Sequence, residues 1–278
     1  MEITIPMSQG LSLRVGALTV GGKEYPTTQL QKGLILLQDG QELAEEGVGF
    51  GVPVLKQGMR TIFPGHVELT AQRRGSIWEL TAVFRLNLEE RIATPGRASV
   101  KSKPLYIVKN SLAALIRRFP RLRGLLTAAS NGLRRTLGWE TTFEDAGFCA
   151  TVKMIYTVDS QTGKVNIEVD ASGLPTDSIT EVVVMNEQGA HHFDRYLDSG
   201  GTFLRGKEIG CWDEVTAEEA SFISTPHRVA FTLGQVKGAR LFRGRELIGS
   251  RLAWSGFGYS FPPIVERFSY AVRIERVS

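Results

Sequence analysis

Ile77-Trp78-Glu79-Leu80-Thr81-Ala82-Val83-Phe84-Arg85-Leu86-Asn87-Leu88-Glu89 is the stretch on which the fold turns. One parity reads Trp78, Leu80, Ala82, Phe84, Leu86 and Leu88; the other reads Ile77, Glu79, Thr81, Val83, Arg85, Asn87 and Glu89. A pleated strand sends the two sets to opposite faces, so the pattern predicts a strand with one buried side. Working outward, Val152, Met154, Tyr156 and Val158 alternate in the same way, as do Val165, Ile167 and Val169. Ser160-Gln161-Thr162-Gly163 between them supplies turn residues, which predicts a hairpin. Val229, Phe231 and Leu233 repeat the pattern, and so do Phe268, Tyr270, Val272 and Ile274. Antiparallel sheet with one solvated face follows.

The composition fits a folded protein rather than a fibrous or disordered one: 278 residues, 42% apolar, 22% charged, 30 Gly and 11 Pro. Cys149 and Cys211 lie far apart with no CxxC or Cys/His ladder nearby, so two buried thiols are expected, with no metal site and no disulfide framework. No cofactor motif is present. Gly47-Val48-Gly49-Phe50-Gly51 lacks the following helix and Lys-Ser/Thr ending of a phosphate loop, and is better explained by a bulge or close backbone packing. The N-terminus carries no export signal, and no apolar stretch is long enough to span a bilayer. A cytoplasmic chain is expected, peripheral to a membrane if its basic segment docks there.

That segment interrupts the strand pattern. From about 101 to 139, two runs, Val108, Leu112, Leu115, Ile116, Phe119 and then Leu122, Leu125, Leu126, Ala129, Leu133, Leu137, recur at helical spacing on either side of Pro120. A two-helix insertion is the expectation. Residues 91–139 hold eleven Lys or Arg and no acid, while the rest of the chain carries 22 basic and 29 acidic residues, a net charge of −7. Arg117, Arg118, Arg121, Arg123, Arg134 and Arg135 would supply attraction to an anionic membrane surface or an acidic protein. Aromatic residues are too sparse there for a base-stacking platform, so nucleic acid is disfavoured. The alternative is an amphipathic pair packed on the sheet, with its arginines solvated. Thr216 and Glu219, at capping-box spacing, suggest one further short helix over Thr216–Ala220.

The densest set of reactive side chains is the polar stretch from Asn186 to Trp212, read as a long loop. Glu187 and Asp194 are candidate bases, and His192 is the candidate proton donor or orienter. On a strand His191 and His192 would face opposite ways. Only His192 and Asp194 would then share an ion, and two ligands do not make a metal site. Tyr196, Arg205, Trp212, Trp254 and Tyr259 are candidate ligand-binding residues, because a sugar needs polar partners for its hydroxyls and an aromatic face for its apolar side. Polar loops of this kind also serve as turns without chemistry. Glu45 and Glu46, just before the Gly47–Gly51 run, either face a cavity or form a solvated acidic pair, and the solvated pair is the expectation.

The expected architecture is a large antiparallel two-sheet sandwich, one domain over residues 1–278 interrupted by the helical insertion. In chain length and strand density it is similar to the supersandwich group that contains the galactose mutarotases and related carbohydrate-active domains. That likeness covers the strand regions, carries no matched motif and transfers no catalytic residue. The functional expectation is a carbohydrate-binding or carbohydrate-modifying protein. The alternatives are a non-enzymatic module that docks through its basic segment, or a subunit of a larger assembly.

Overall fold

Alternating apolar residues commit each strand to one buried face, and the architecture is the way those faces meet. The computed structural model describes residues 2–8, 10–16, 31–58, 60–93, 140–247 and 253–277. A small sheet, in spatial order, contains β1 (Glu2–Pro6), β2 (Leu11–Gly16), β3 (Ile35–Gln38) and β4 (Gln41–Glu42). The remaining strands are β5 (Gly49–Gln57), β6 (Arg60–Arg74), β7 (Ile77–Ala93), β8 (Glu140–Asp159), β9 (Lys164–Asp170), β10 (Glu181–Gln188), β11 (Arg195–Asp198), β12 (Phe203–Arg205), β13 (Asp213–Glu214), β14 (Glu219–Ser224), β15 (Val229–Gly234), β16 (Arg240–Leu247), β17 (Ala253–Phe261) and β18 (Arg267–Arg276). They form one fourteen-stranded sheet in the order β12-β11-β14-β15-β18-β9-β8-β7-β6-β5-β10-β17-β16-β13. Every pairing between these strands is antiparallel.

The expected hairpin is present, with β8 and β9 paired from Lys153↔Asp170 to Asp159↔Lys164. The expected β7 strand extends from Ile77 to Ala93, with Leu80, Ala82, Phe84 and Leu86 fully buried. The large sheet is continuous, but it doubles over so that its two wings face each other. Phe50 of β5 meets Phe231 of β15 edge to face, with ring centroids 5.2 Å apart. Tyr259 of β17 meets Phe268 and Tyr270 of β18 at 5.2 and 4.7 Å. Phe257 of β17 packs against Phe222 of β14 at 4.8 Å. The two edge strands β12 and β13 are adjacent in the chain, joined through the 3-10 turn Gly206–Ile209.

Polar groups pin the wings together inside this apolar layer. Opposite the Met185/Asn186 step, β5 carries an extra residue, a bulge at Gly51 with φ +77°. Asn186 is fully buried there. Its Oδ1 accepts from Gly51 N at 3.1 Å and from the Tyr270 hydroxyl at 2.8 Å, and its Nδ2 donates to Val184 O at 3.2 Å. The Tyr156 hydroxyl donates to Gly51 O at 2.6 Å. A Cβ on Gly51 would stand 2.5 Å from Tyr156 Cε1, so both the space and the positive φ require glycine.

Three expectations change. Asn186 does not open a loop: β10 continues to Gln188, and the turn begins at Gly189. Thr216–Ala220 is not a helix, because Ala220, Phe222 and Ser224 alternate inward as a strand and override the capping-box spacing. Cys211, expected to be buried, is exposed. The helical insertion at 101–139 and its six named arginines lie outside the described residues. Among the described residues, the only helical element is the turn Gly206–Ile209, and no helix is long and apolar enough to cross a membrane.

The buried network predicts that Asn186→Ala lowers stability by about 2–4 kcal/mol, since each buried donor left without an acceptor costs roughly 1–3 kcal/mol. Tyr156→Phe, which strands one carbonyl, is expected to cost about 1–2 kcal/mol. Urea unfolding followed by tryptophan fluorescence checks both; losses below about 0.5 kcal/mol in each variant would contradict the assignment.

Candidate functional site

Beyond Asn186 the strand alternates once more. Glu187 points outward and Gln188 inward, where its amide accepts from Leu36 N and ties β10 to the small sheet. Glu187 stands directly between Gly49 of β5 and Gly256 of β17. It is only 4% exposed, and its Oε2 has Val48 N at 3.5 Å. Burial pushes the carboxyl up to about 8; the Val48 amide works against that shift, and the like charge of Glu246 adds to it. At neutral pH Glu187 therefore holds its proton.

Next to Glu187 the outward face of β16 and β17 is floored by glycine, at Gly244, Gly256 and Gly258. Two indoles take the place of side chains there. A Cβ on Gly258 would lie 2.5 Å from the Trp212 ring, and one on Gly244 2.7 Å from the Trp254 ring. The two rings stack on each other, centroids 5.3 Å apart and 30° from parallel. Trp254 is buried, whereas Trp212 keeps exposed surface. Trp212 also sits at φ +58°, a left-handed conformation that a bulky residue adopts only when its surroundings enforce it.

A second cluster occupies the turn after β10. His191 and His192 lie in a turn, not on a strand, so both reach the same carboxylate. Glu45 Oε1 is 2.8 Å from His191 Nδ1 and 3.8 Å from His192 Nε2, and Glu45 Oε2 accepts from His191 N at 3.1 Å. Glu45 has φ +48°, and its side chain lies against Gly189, where a Cβ would be 2.5 Å from its Oε2. His192 Nδ1 is 2.8 Å from Nε2 of His227, in the turn between β14 and β15, so one of the two nitrogens carries the shared hydrogen. Burial holds both imidazoles below the ordinary histidine value. For His192 Glu45 opposes the shift while the neighbouring histidines reinforce it; for His227 Arg276 adds to it.

The remaining predicted residues separate. Asp194 is electrostatically coupled to Arg245, and its Oδ1 is buried without a hydrogen-bond partner. Tyr196 lies in the core, its hydroxyl on Asp198 at 2.9 Å and the Arg243 guanidinium 4.7 Å from its ring centroid. Tyr259 is fully buried on the face of β17 opposite Trp254, with its hydroxyl on Gly234 O, so the expected joint platform of Trp254 and Tyr259 does not form. Arg205 lies on the edge strand β12. Among the described residues, Glu187, His192 and Asp194 do not form one hydrogen-bonded unit. Glu45, His227, Glu246 and the glycine floor were not singled out from the sequence as site residues. Non-local pairing brings them in, and Gly256 and Gly258 beside Trp254 were the only local cue. No group of three side chains among the described residues is arranged to hold a metal ion.

No family model matches the sequence, and no curated protein matches it. Among solved structures the chain is similar to a quadruple mutant of the α-N-acetylgalactosaminidase NagBb from Bifidobacterium bifidum, with a TM-score of 0.50 and 13% identity. The match covers 99% of this chain and 36% of that one, so the chain spans about a third of that enzyme's length. It also matches the HI1317 protein (TM-score 0.34, 6% identity, 99% and 100% of the two chains). A third match is Slr1438 from Synechocystis sp. PCC 6803 (TM-score 0.39, 9% identity, 99% and 96%). The first likeness shows a shared β-rich fold; the other two carry no argument.

The depressed imidazoles make stability depend on pH. The unfolded chain takes up protons as pH falls through about 6.5, and the folded protein resists them, so this stability is complete above pH 6.5 and is lost below it. Glu187 acts in the opposite sense, its contribution being present at low pH and lost as pH rises toward 8. The Tm of His227→Gln relative to that of the unsubstituted protein is therefore expected to rise as pH falls from 7.5 to 5.5. An identical pH slope in the two would contradict the cluster's role.

Proposed function

We propose that the chain is a carbohydrate-binding or carbohydrate-modifying protein built as a single supersandwich-like β-sandwich, with its ligand at Trp212 and Trp254. The observation that supports this most is the stacked indole pair on its glycine floor. An indole face retained at the surface beside carboxyl groups suits the apolar side of a sugar ring and its hydroxyls. The shared fold with an enzyme named as an α-N-acetylgalactosaminidase supports the carbohydrate class without selecting a sugar.

If the ligand is modified, Glu187 serves as a proton donor rather than the base expected from sequence, because its burial keeps the carboxyl neutral at pH 7. His192, between Glu45 and His227, carries protons at the adjoining turn, with Asp194 nearby to balance Arg245. Arg205 adds a hydrogen-bonding fork at the sheet edge. Tyr196 and Tyr259 shape the wall from within, and the stacking role falls to the two tryptophans. The reading as a basic docking module rests on Arg117, Arg118, Arg121, Arg123, Arg134 and Arg135, outside the described residues, and no described residue favours it.

A panel of neutral oligosaccharides titrated by calorimetry tests the proposal. At least one is expected to bind, and Trp212→Ala is expected to weaken it tenfold or more with little change in Tm. Absence of binding across the panel, or full affinity in Trp212→Ala, would overturn the reading. Glu187→Gln, an isosteric neutral donor, is expected to keep that binding and to abolish the pH dependence that Glu187 imposes between pH 7 and 9.

A further inference from the structure

At the opposite edge of the large sheet, β11 and β12 present a surface whose composition works against folding. Arg195 is paired directly with Arg205, and Leu197 directly with Phe203, so all four side chains share one face. Asp198 N donates to Thr202 O at 3.1 Å and Gly206 N to Asp194 O at 2.8 Å. Those ladder bonds fall at the even positions of β11. Arg195↔Arg205 and Leu197↔Phe203 are therefore the close, non-hydrogen-bonded pairs, whose Cα atoms lie about 4.5 Å apart. Like charges directly opposite in such a pair destabilise a sheet.

Among the described residues, no acidic side chain relieves that repulsion. Among the described residues neither guanidinium has an ion-pair partner. Glu208, the nearest acid in sequence to Arg205, directs its carboxylate at the Arg205 backbone N, at 3.1 Å. Arg240 and Arg267, exposed on other strands, each have a carboxylate: Glu181 at 3.6 Å and Asp170 at 3.8 Å. The Arg205 guanidinium is instead held over the Phe203 ring, 4.8 Å from its centroid, which orders it without neutralising it. Phe203 and Leu197 are 45% and 42% exposed, an apolar strip alongside the charge.

We propose that this face, Arg195 and Arg205 with Phe203 and Leu197, is a binding site for an acidic carbohydrate, its sulfate or carboxylate held between the guanidinium groups and a sugar ring on the apolar strip. The anion supplies the charge that the sheet lacks, and Arg is the side chain whose planar fork matches such oxyanions. The apolar strip selects a ligand with a hydrophobic face over a bare ion. This assignment rests on the carbohydrate reading above and adds a second, anionic subsite to it.

The test is titration of the full chain with dextran sulfate, neutral dextran and polyphosphate at one fixed ionic strength. Because the whole protein is basic, with a pI near 9.1, Arg240→Ala/Arg267→Ala serves as the charge-matched control for Arg195→Ala/Arg205→Ala. Dextran sulfate is expected to bind, with affinity falling tenfold or more in the Arg195/Arg205 variant and less than threefold in the control, and with no loss of Tm in the Arg195/Arg205 variant. Equal losses in the two variants, or none in either, would overturn the site. Polyphosphate binding as tight as dextran sulfate, with the same dependence on Arg195 and Arg205, would leave an anion site but defeat its carbohydrate assignment. Absence of dextran sulfate binding by the unsubstituted protein, with neutral-sugar binding at Trp212 present, would confine the failure to this inference.

Discussion

The carboxamide of Asn186 is the constraint on which the arrangement depends. It is buried where two wings of one sheet face each other, and it answers a donor from each: the Gly51 amide from β5 and the Tyr270 hydroxyl from β18. An apolar residue there would leave both donors without water or partner, at a cost comparable to truncating a large core side chain. The Gly51 bulge exists to present that amide, and the Tyr156 hydroxyl closes the other side of it. Hydrophobic burial supplies the attraction between the wings; this hydrogen-bonded junction fixes their register.

Both clusters of functional interest follow from that register. With Asn186 pointing inward, alternation sends Glu187 outward to Gly256 and the indoles, and Gln188 inward to the small sheet. The chain turns immediately afterward, carrying His191 and His192 to Glu45 and His227. One residue of slip in β10 would bury the wrong carboxyl and disperse both clusters, because every side chain would change face. Among the described residues four non-glycine residues have positive φ, Asp39, Glu45, Trp212 and Arg228, and of these Glu45 and Trp212 each lie in one of these clusters.

The sequence conveyed period well and partnership poorly. Alternation at Leu80–Leu86, the 152–169 hairpin and the bulge in the Gly47–Gly51 run were legible because each is a property of a few neighbouring residues. The polar identity of Asn186, Glu187 and Gln188 suggested a loop, and burial of polar side chains by distant partners reversed that reading. Tyr259 and Trp254 looked like one aromatic platform, yet an odd separation along β17 puts them on opposite faces, a consequence of strand geometry that composition conceals. Glu45 and His227 were invisible as partners of His191 and His192, since the segments that bring them together are more than 140 and about 35 residues apart in sequence. The like-charged pair at Arg195 and Arg205 likewise emerges only once register is known.

Amide hydrogen exchange at Gly51 tests the central claim most directly, because that amide is held only if the Asn186 junction forms as described. Under native conditions Gly51 is predicted to exchange only through global unfolding, with the same opening free energy as the core amide of Phe231. Exchange of Gly51 by local fluctuation, orders of magnitude faster than Phe231, would contradict the account.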